Sequence, residues 1–526
     1  MFWVDETVDK IIETYPGKEE FTIRDEKTLS GRVHVGSLRG VVIHGIIAQA
    51  LNERGKKAKF LFEFNDYDPM DGMPKELEGQ GYDEHMGKPL CNIPAPDGKA
   101  KNFAEYYGAE FLSVINELGF FPELPRASRA YREGKMNDWI RLALTENRQI
   151  REIYRRISGS EKPEHWSPVQ VICEQCGKVG STDVLSFDGE KVKYICTKDK
   201  VKWAVGCGHE GETSPFDGNA ELTWKVEWPA KWNAYNVDIE GSGKDHNAAG
   251  GSHDIGIAIC DEISKTSVPF NIPYEFFLVG GKKMSSSKGI GQTARDIADQ
   301  LPPEILRFLM LKTPQRVIEF DPEGDTIPRI FDAHDDTAKW YFTKEEKDTV
   351  QTDLARLFEL SQVKEGKVEE RFLPRFSQLV FIIQIPRLDV YEEVVKMKGE
   401  ALTDLDKEEI DLRIKYAKKW LENYAPDKYR YELQEKLPDV AKELTEIQKE
   451  FTTKLAGQLE AFDNWDGETM HGAIHELVKS NENYTPKECF QAIYTLFLGK
   501  DFGPQAGWFL SALDKRFVVD RLHRKA

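Results

Sequence analysis

The stretch from Phe21 to Phe64 constrains the fold of this chain more than any other part of it. Phe21-Thr22-Ile23 is a short apolar run that favours a strand, and residues 58–64 form a second such run. Between them, residues 38–54 carry apolar side chains at three- and four-residue steps, which predicts a helix that ends before Gly55. This order of strand, helix and strand predicts an α/β domain with a parallel sheet.

The loop that joins the first strand to the helix indicates what this domain binds. It reads Leu29-Ser30-Gly31-Arg32-Val33-His34-Val35-Gly36-Ser37, with small residues and one histidine before the helix. Backbone N–H groups and the positive end of the helix dipole favour a phosphate there, and Gly36 lets a nucleotide approach the backbone. His34 alone fits a structural role as well as a ligand role.

A second phosphate-binding segment is predicted far downstream, at residues 280–289. The segment reads Gly280-Gly281-Lys282-Lys283-Met284-Ser285-Ser286-Ser287-Lys288-Gly289. Its lysines, hydroxyls and glycines predict a loop, and ammonium and hydroxyl groups are suited to binding a polyphosphate. The same composition is also typical of a solvated surface turn, so the interpretation depends on the pairing with the His34 loop.

Four of the seven cysteines lie in one segment and predict a metal site. They are Cys173, Cys176, Cys196 and Cys207, and His209 follows closely as a substitute fourth ligand. The Cys-x-x-Cys pair and the turn-forming glycines around it are typical of a structural zinc knuckle, with ordinary thiols as the alternative. The remaining cysteines, Cys91, Cys260 and Cys489, are isolated and are expected to be structural.

Composition restricts the class of protein. With 526 residues, 40% hydrophobic and 31% charged, the chain is expected to form several globular domains. No apolar run approaches the ~20 residues of a membrane helix, and the acidic N-terminus lacks a signal-peptide pattern, so a cytoplasmic location without a membrane partner is expected. The chain is also expected to be a monomer. The formal charge of −18 argues against unspecific coating of nucleic acid but allows a local basic surface for one specific nucleic acid.

The His34-Val35-Gly36-Ser37 and Lys283-Met284-Ser285-Ser286-Ser287 segments together resemble the two signatures of class I aminoacyl-tRNA synthetases. Further segments, spread over about residues 21 to 520, are similar to those of class I lysyl-tRNA synthetases. These are Trp228-Pro229-Ala230-Lys231-Trp232, Gly243-Lys244-Asp245-His246, Gly250-Gly251-Ser252-His253-Asp254, Ile318-Glu319-Phe320-Asp321-Pro322 and Gly503-Pro504-Gln505-Ala506-Gly507-Trp508.

The pattern and the resemblance predict an α/β architecture: a doubly wound parallel-sheet nucleotide-binding domain with a helical and zinc-knuckle insertion, followed by an all-α C-terminal domain. Residues 1–107 and 223–300 are expected to form the Rossmann-like catalytic domain, and residues 108–222 the insertion. Residues 301–340 are expected to form a stem-contact linker and residues 341–526 an anticodon-binding domain. An apolar stripe from Val440 to Phe462 predicts one long helix of the C-terminal bundle core.

The resemblance implies an ATP- and Mg²⁺-dependent lysine–tRNA ligase with tRNA(Lys) as its partner and one structural Zn²⁺. Implied catalytic residues are His34, Lys283, Ser285 and Ser287. Implied ATP-binding residues are Gly36, Ser37, Asp245, His246, Gly250, Gly251, Ser252, Lys282, Met284 and Lys288. Candidates for lysine binding are Thr28, Asp66, Trp224, Glu227, Trp228, Glu240 and Tyr274, with Glu240 favoured as the partner of the ammonium group. A class I synthetase for glutamate or cysteine, or a tRNA-binding paralogue without ligase activity, remains an alternative.

The chain also departs from the family pattern. Glu26 stands where the family generally has glycine, Leu29 where it has proline, and Ser37 where an amide or imidazole side chain is usual. Enzymes of this kind often carry a second zinc site in the segment corresponding to residues 94–107. Here Ala95, Lys99, Ala100 and Tyr106 occupy the ligand positions, so that site is expected to be absent.

Overall fold

The computed structural model describes residues 1–281, 292–364, 366, 368–385 and 388–525. They form two compact units: Met1–Phe320 with Asp336–Val368, and Asp321–Asp335 with Glu369–Ala526. Up to Phe320 the elements are α1 (Trp3–Thr14), β1 (Glu20–Thr28), α2 (Ser37–Glu53), β2 (Lys57–Asn65), α3 (Phe103–Glu117), α4 (Ala127–Arg132), α5 (Asn137–Thr145), α6 (Asn147–Ser158), β3 (Val169–Val171), β4 (Thr182–Phe187), β5 (Val192–Cys196), β6 (Glu210–Thr213), β7 (Ala220–Leu222), α7 (Trp224–Ala234), β8 (Ile239–Gly243), α8 (Lys244–Asn247), α9 (Ser252–Ile259), β9 (Phe270–Tyr274), β10 (Phe277–Val279), α10 (Ala294–Ala298), α11 (Pro303–Met310) and β11 (Ile318–Phe320).

All elements after Phe320 are helical. They are α12 (Thr326–Phe342), α13 (Thr349–Ser361), α14 (Phe376–Ile382), α15 (Val390–Lys398), α16 (Asp404–Asn423), α17 (Glu446–Glu460), α18 (Gly467–Lys479), α19 (Pro486–Leu498), α20 (Ala506–Ser511) and α21 (Lys515–Leu522), with short 3₁₀ turns at Asp427–Tyr429 and Asp439–Glu443. The predicted all-α character of the C-terminal part is therefore confirmed for the residues that the structure describes.

A four-stranded parallel sheet in the order β2-β1-β8-β9 organises the first unit. β1 pairs with β2 along its whole length, from Glu20 opposite Lys57 to Thr28 opposite Asn65. The two inner strands, β1 and β8, meet at Ile23 and Ile239. The predicted doubly wound parallel sheet is confirmed, and the carboxyl ends of its strands lie along one edge, where such folds bind ligands.

Helix α2 is more deeply buried than its amphipathic spacing predicts. Most of its residues are buried, including the polar side chains of Arg39 and His44. The Nη2 atom of Arg39 donates to the backbone carbonyls of Thr313, Pro314 and Arg316 at 2.8–3.0 Å, whereas its buried Nε and Nη1 atoms have no hydrogen-bond partner among the described residues. Distant carbonyl groups thus allow a guanidinium group to stay inside the unit, because a buried donor needs an acceptor.

The insertion combines helices with two small antiparallel sheets. β3 pairs with β7, and β4, β5 and β6 form a three-stranded sheet. The sequence predicts one amphipathic helix over residues 136–157, but the structure has two, α5 and α6, separated at Glu146. An apolar stripe that continues across a short break cannot by itself reveal the break.

The second unit is a bundle whose core includes Phe451, Leu455 and Leu459 on α17. The predicted single helix from Val440 to Phe462 is wrong in its first part, because α17 begins only at Glu446. Thr445 caps it: its Oγ1 accepts from the Gln448 N–H at 3.2 Å, and the Gln448 side chain accepts from the Thr445 N–H at 3.0 Å. This capping box fixes the first residue of α17, although the apolar pattern continues towards the N-terminus.

Within the part of the chain that the structure describes, every helix is too short or too polar to cross a lipid bilayer.

Candidate active site

A cavity of about 540 Å³ lies at the carboxyl edge of the parallel sheet. The ends of β1, β8 and β9, the start of α2 and the segment after β2 all contribute to it. The lining residues are Asp25, Glu26, Lys27, Thr28, Ser30, His34, Gly36, Ser37, Phe62, Asp68, Pro69, Asp71, Trp203, Gly243, Asp245, His246, Tyr274, Glu275, Phe276 and Phe277. The volume is suited to a small-molecule ligand.

The histidine turn stands at one side of this cavity. His34, Gly36 and Ser37 all line it, and Gly36 immediately precedes the first residue of α2. The turn is closed by a hydrogen bond of 3.1 Å from the Ser37 N–H to the His34 carbonyl, and His34 forms a bridge to Thr293. The N–H groups of Ser37, Leu38 and Arg39 already donate to backbone carbonyls at 3.1, 2.9 and 3.3 Å, so the suitability of this wall for an anion rests on the positive end of the α2 dipole.

Close packing of α2 on the strand ends shapes the same wall. A Cβ atom at Gly40 would lie 2.6 Å from an Asp25 carboxylate oxygen and 2.7 Å from the Tyr274 hydroxyl. These distances are shorter than a van der Waals contact, so a side chain at position 40 would push the helix away from β1 and β9. Glycine at this position keeps Asp25 and Tyr274, which both line the cavity, close to the helix.

Three further residues predicted to bind substrates line the cavity from the other strands. They are Asp245 and His246 on α8, directly after β8, and Tyr274 at the end of β9. Thr28, at the end of β1, lines it as well. The turn, the Gly243-Lys244-Asp245-His246 segment and Tyr274 therefore share one space, although more than 200 residues separate His34 from Asp245.

The predicted glycine segment lies beside this space but outside its described lining. Gly250 and Gly251 lie directly before α9, which begins at Ser252, and the Gly250 N–H donates to the Asp254 side chain at 2.9 Å. A Cβ at Gly251 would lie 2.4 Å from the His246 carbonyl oxygen. The segment therefore packs directly against the backbone of His246, a lining residue.

The loop predicted to bind the phosphates falls outside the described residues. This applies to Lys282, Lys283, Met284, Ser285, Ser287 and Lys288.

An aromatic row borders the cavity next to His246. Trp224 stacks on Trp228 with ring centroids 5.3 Å apart, and the His246 ring meets both rings edge-on at 5.7 and 5.8 Å. Trp228 donates through its indole N–H to Glu240 at 2.9 Å. Trp224 and Trp228 are thus adjacent to a lining residue, but they lie outside the set of lining residues that the structure describes.

The structure places Glu240 and Asp66 in contacts that already satisfy them. Glu240 accepts two hydrogen bonds from Arg24, at 2.8 and 3.0 Å, and burial raises its pKa to about 7 against the opposing effect of that guanidinium. Asp66 accepts from the Ser128 N–H and hydroxyl at 2.8 and 2.6 Å. Neither side chain belongs to the described lining of the cavity.

Below the strand ends lies a buried network of two cations and four carboxylates. Arg24, fully buried, contacts Glu26, Glu63 and Glu240. Lys231, which is 1% exposed, lies 2.9 Å from Glu26, 3.5 Å from Glu63 and 3.0 Å from Glu227. The neighbouring carboxylates hold the pKa of Lys231 well above its usual range despite burial. Buried charges need such partners, so the network holds Glu26 at the edge of the cavity.

Sequence analysis missed several lining residues, notably Asp25, Lys27, Asp68 and Trp203. Asp25 and Lys27 lie on β1, and Asp68 follows β2 by three residues. The rule that ligands bind beyond the carboxyl ends of parallel strands could have identified these three. Trp203 comes from the cysteine-rich insertion, and no signal in the sequence connects it with the strands.

The four cysteines converge as predicted. The sulfur atoms of Cys173, Cys176, Cys196 and Cys207 all lie within 4.8 Å of one another, with Cys173–Cys207 at 3.6 Å and Cys176–Cys196 at 3.7 Å. A tetrahedral zinc with bonds of about 2.3 Å separates its sulfur ligands by about 3.8 Å, so the cluster could hold zinc. Gly177, with φ of +72°, makes the turn after the second cysteine. His209 lies beside the cluster, with its ring against Tyr194 at 6.0 Å.

Known proteins similar to this chain include several archaeal enzymes. A protein of Methanosarcina barkeri named lysine–tRNA ligase is 34% identical over 514 residues, which cover 94% of this chain and 92% of the relative. The protein of that name from Archaeoglobus fulgidus is 35% identical over 497 residues and 94% of each chain, and that from Pyrococcus furiosus is 33% identical over 533 residues and 99% of each chain.

Family comparisons agree with these similarities. The model of an anticodon binding domain matches residues 400–526, within the helical second unit. The model of tRNA synthetases class I (K) matches residues 1–364, which include the sheet, the cavity and the cysteine cluster. The chain therefore belongs to the family of class I tRNA synthetases of the lysine type.

Proposed function

We propose that this protein is a lysine–tRNA ligase. It would activate L-lysine with ATP to lysyl-adenylate, release pyrophosphate and transfer the lysyl group to the terminal adenosine of tRNA(Lys). The observation that carries the proposal is the shared cavity of His34, Gly36, Asp245 and Tyr274 at the carboxyl edge of the sheet in a member of this family. Relatives named lysine–tRNA ligase, about one-third identical over nearly the whole chain, support the choice of amino acid.

The first step needs alignment rather than a general base. The lysine carboxylate is already a nucleophile, and it would attack the α-phosphorus of ATP as the bond to pyrophosphate breaks. His34 would donate to the phosphates, and the positive end of the α2 dipole would help to stabilise the negative charge that passes to the pyrophosphate. Magnesium would accompany ATP, bound mainly through phosphate oxygens.

The remaining ATP contacts would come from both sides of the cavity. Asp245 would accept hydrogen bonds from the ribose hydroxyls, and His246 with the packed Gly250–Ser252 segment would support the nucleoside. By family resemblance, Lys282, Lys283 and Lys288, with Met284, Ser285 and Ser287, would close over the phosphates.

Recognition of lysine is proposed to use the strand ends and the adjoining aromatic row. Thr28 and Tyr274 line the cavity, and Trp224 and Trp228 contact the ring of His246, which also lines it. Flat apolar surfaces suit the aliphatic stem of lysine, and its ammonium group needs acceptors.

The other cofactor and partner assignments rest on separate parts of the chain. We propose Zn²⁺ as the ion of the four-cysteine cluster, where it would hold the insertion together. The match of residues 400–526 to an anticodon binding domain supports tRNA as the partner. We further propose that the enzyme is a monomer, which light scattering of the purified protein would test. Its proposed location is the cytoplasm.

Amino-acid-dependent exchange of pyrophosphate into ATP, measured across the twenty amino acids with and without tRNA, tests the function. Exchange with lysine is the expected result. Exchange with glutamate or cysteine instead would assign another class I synthetase, and no exchange in either condition would indicate a paralogue without ligase activity. Within the active enzyme, Lys283→Ala should lower the exchange rate by ~10²–10³-fold, and an unchanged rate would remove its role.

A further inference from the structure

Arg39, on the first turn of α2, is a buried cation that the proposed mechanism does not use. Its side chain is fully buried, its Nε and Nη1 atoms have no hydrogen-bond partner among the described residues, and none of their carboxylates forms an ion pair with it. Burial lowers its pKa to about 10 against the opposing effect of Tyr274 and Glu275, so the group is still charged at neutral pH. A buried charge without a paired carboxylate costs free energy, so the contacts that it does make point to its role.

Those contacts all involve one nitrogen atom. The Nη2 atom of Arg39 donates to the carbonyls of Thr313, Pro314 and Arg316 at 3.0, 3.0 and 2.8 Å. Three carbonyl oxygens around one point repel one another through their negative partial charges, and a cation between them attracts all three. Arg39 therefore holds the backbone of residues 313–316 against α2.

The segment that Arg39 holds supports one part of the cavity lining. This part is residues 274–277, which we name the β9–β10 wall and which all line the cavity. The Glu275 N–H donates to the same Pro314 carbonyl at 2.8 Å, and the Ile318 N–H donates to the Phe276 carbonyl at 3.0 Å. The pairing of β10 with β11 then continues this ladder. Backbone hydrogen bonds thus connect the carbonyls bound by Arg39 with the β9–β10 wall.

The backbone of Arg39 is connected to the histidine turn. Its N–H donates to the Gly36 carbonyl at 3.3 Å, and Gly36 and Ser37 line the cavity. At the next position, a Cβ atom on Gly40 would lie 2.7 Å from the Tyr274 hydroxyl, so α2 already packs directly on the β9–β10 wall. The backbone and the side chain of one residue therefore connect two parts of the cavity lining.

We infer that Arg39 is a positioning residue for the proposed activation of lysine. It fixes the distance between the histidine turn, which is proposed to bind the phosphates, and the β9–β10 wall, where Tyr274 is proposed to bind lysine. The inference rests on the proposed function, because that reaction needs the lysine carboxylate aligned with the α-phosphorus. A shift of about 1 Å between reacting groups can lower a rate by about 10²-fold. All polar contacts of the Arg39 side chain are to carbonyls, so it acts through the residues that it holds.

Arg307 provides a matched control. It is also a buried arginine, 3% exposed, and burial lowers its pKa to about 10. Its Nε and Nη1 atoms donate to the Leu360 and Leu118 carbonyls at 2.8 and 3.0 Å, and its Nη2 atom donates to the Gln49 side chain. None of these partners belongs to the described lining of the cavity. Arg307 therefore makes the same kind of contact in a purely structural role.

Steady-state pyrophosphate exchange of Arg39→Lys tests the inference, with Arg307→Lys as the control. Lysine keeps the charge, but its shorter stem draws the three carbonyls towards α2. R39K should lower kcat by about 10- to 100-fold, while KM for ATP and KM for lysine change by less than about threefold. R307K, assayed at a temperature well below both melting points, should keep kcat within about twofold of the wild type.

Hydrogen exchange measures the same contact without catalysis. Peptides covering residues 272–279 should exchange about tenfold faster in R39K than in the wild type, and at the wild-type rate in R307K. In the wild type without ATP or lysine, the same peptides should already be protected, because Arg39 holds the β9–β10 wall before substrates bind. This last measurement needs no variant.

Three kinetic results would overturn the inference and leave the proposed function standing. They are a wild-type kcat in R39K, an equal loss of kcat in R39K and R307K, and a change in R39K that is confined to KM. Rapid exchange of residues 272–279 in the ligand-free wild type would also overturn the inference, even if R39K did not fold. Absence of pyrophosphate exchange with every amino acid in the wild type would instead overturn the proposed function.

Discussion

Replacing Lys231 by methionine should destabilise the first unit strongly. Lys231 is 1% exposed and lies 2.9, 3.0 and 3.5 Å from carboxylate oxygens of Glu26, Glu227 and Glu63. At an effective dielectric constant of about 20, one contact of unit charges near 3 Å contributes about 5 kcal/mol. Burial of the ammonium offsets most of the summed attraction, and removing one partner of a buried network costs about 3–5 kcal/mol net.

Denaturant unfolding followed by far-UV circular dichroism measures this loss. Lys135→Met is the matched control, because Lys135 makes an exposed ion pair with Glu133 at 3.4 Å, and such pairs contribute about 0–1 kcal/mol. At pH 8.5, above the pKa of about 8 of Glu227, the double variant K231M/E227Q should recover part of the loss, since a neutral amide at position 227 replaces an ionised carboxylate that needs a counter-charge. A K231M variant as stable as K135M would refute the reasoning about the buried network.

Three other predictions concern separate parts of the molecule. The purified chain should carry one zinc ion by elemental analysis, and Cys176→Ser should lose it and melt at lower temperature; full zinc content in that variant would contradict the four-cysteine site. Burial raises the pKa of Glu227 from 4.5 to about 8, so the folded chain holds this proton more tightly and unfolding free energy falls as pH rises between these values. Glu227→Gln should flatten that fall in denaturant titrations at pH 5.5 and 8.5, and an equal fall in both proteins would disprove the assignment. Leu455→Ala, at a fully buried position of the second unit, should lower the free energy of unfolding by about 2–5 kcal/mol in a denaturant titration. Ile447→Ala, at a position 41% exposed, should lower it far less in the same titration.

Local signals predicted three of the elements that surround the cavity. The apolar runs near Ile23 and Phe60 lie in β1 and β2, and the helical spacing after Leu38 lies in α2. These elements could be predicted because apolar periodicity and a glycine at the end of a helix are patterns that span only a few residues. The cysteine spacing was equally informative, since a metal knuckle is a short-range arrangement of ligands.

The same signals failed where distant partners decide the outcome. Sequence analysis limited the first strand to the run ending at Ile23, but β1 continues to Thr28 through Arg24, Asp25, Glu26 and Lys27. Charged residues are usual in loops, but Arg24 and Glu26 remain in this strand because Glu63 and Glu240 neutralise the first and Lys231 the second. The apolar stripe through Val440 also predicted too long a helix. Here the capping box at Thr445 decides where α17 begins, and the apolar periodicity does not.

By itself, then, the sequence determined the type of domain, the histidine turn, the cysteine cluster and the resemblance to one family, because each is carried by short segments whose own residues form the pattern. Only the tertiary structure decided which acidic residues are neutralised and which face the cavity. Glu26 and Lys231, for example, are 205 positions apart and 2.9 Å apart in space. Charge interactions depend on distance and burial, and neither quantity is set until the strands and helices have packed.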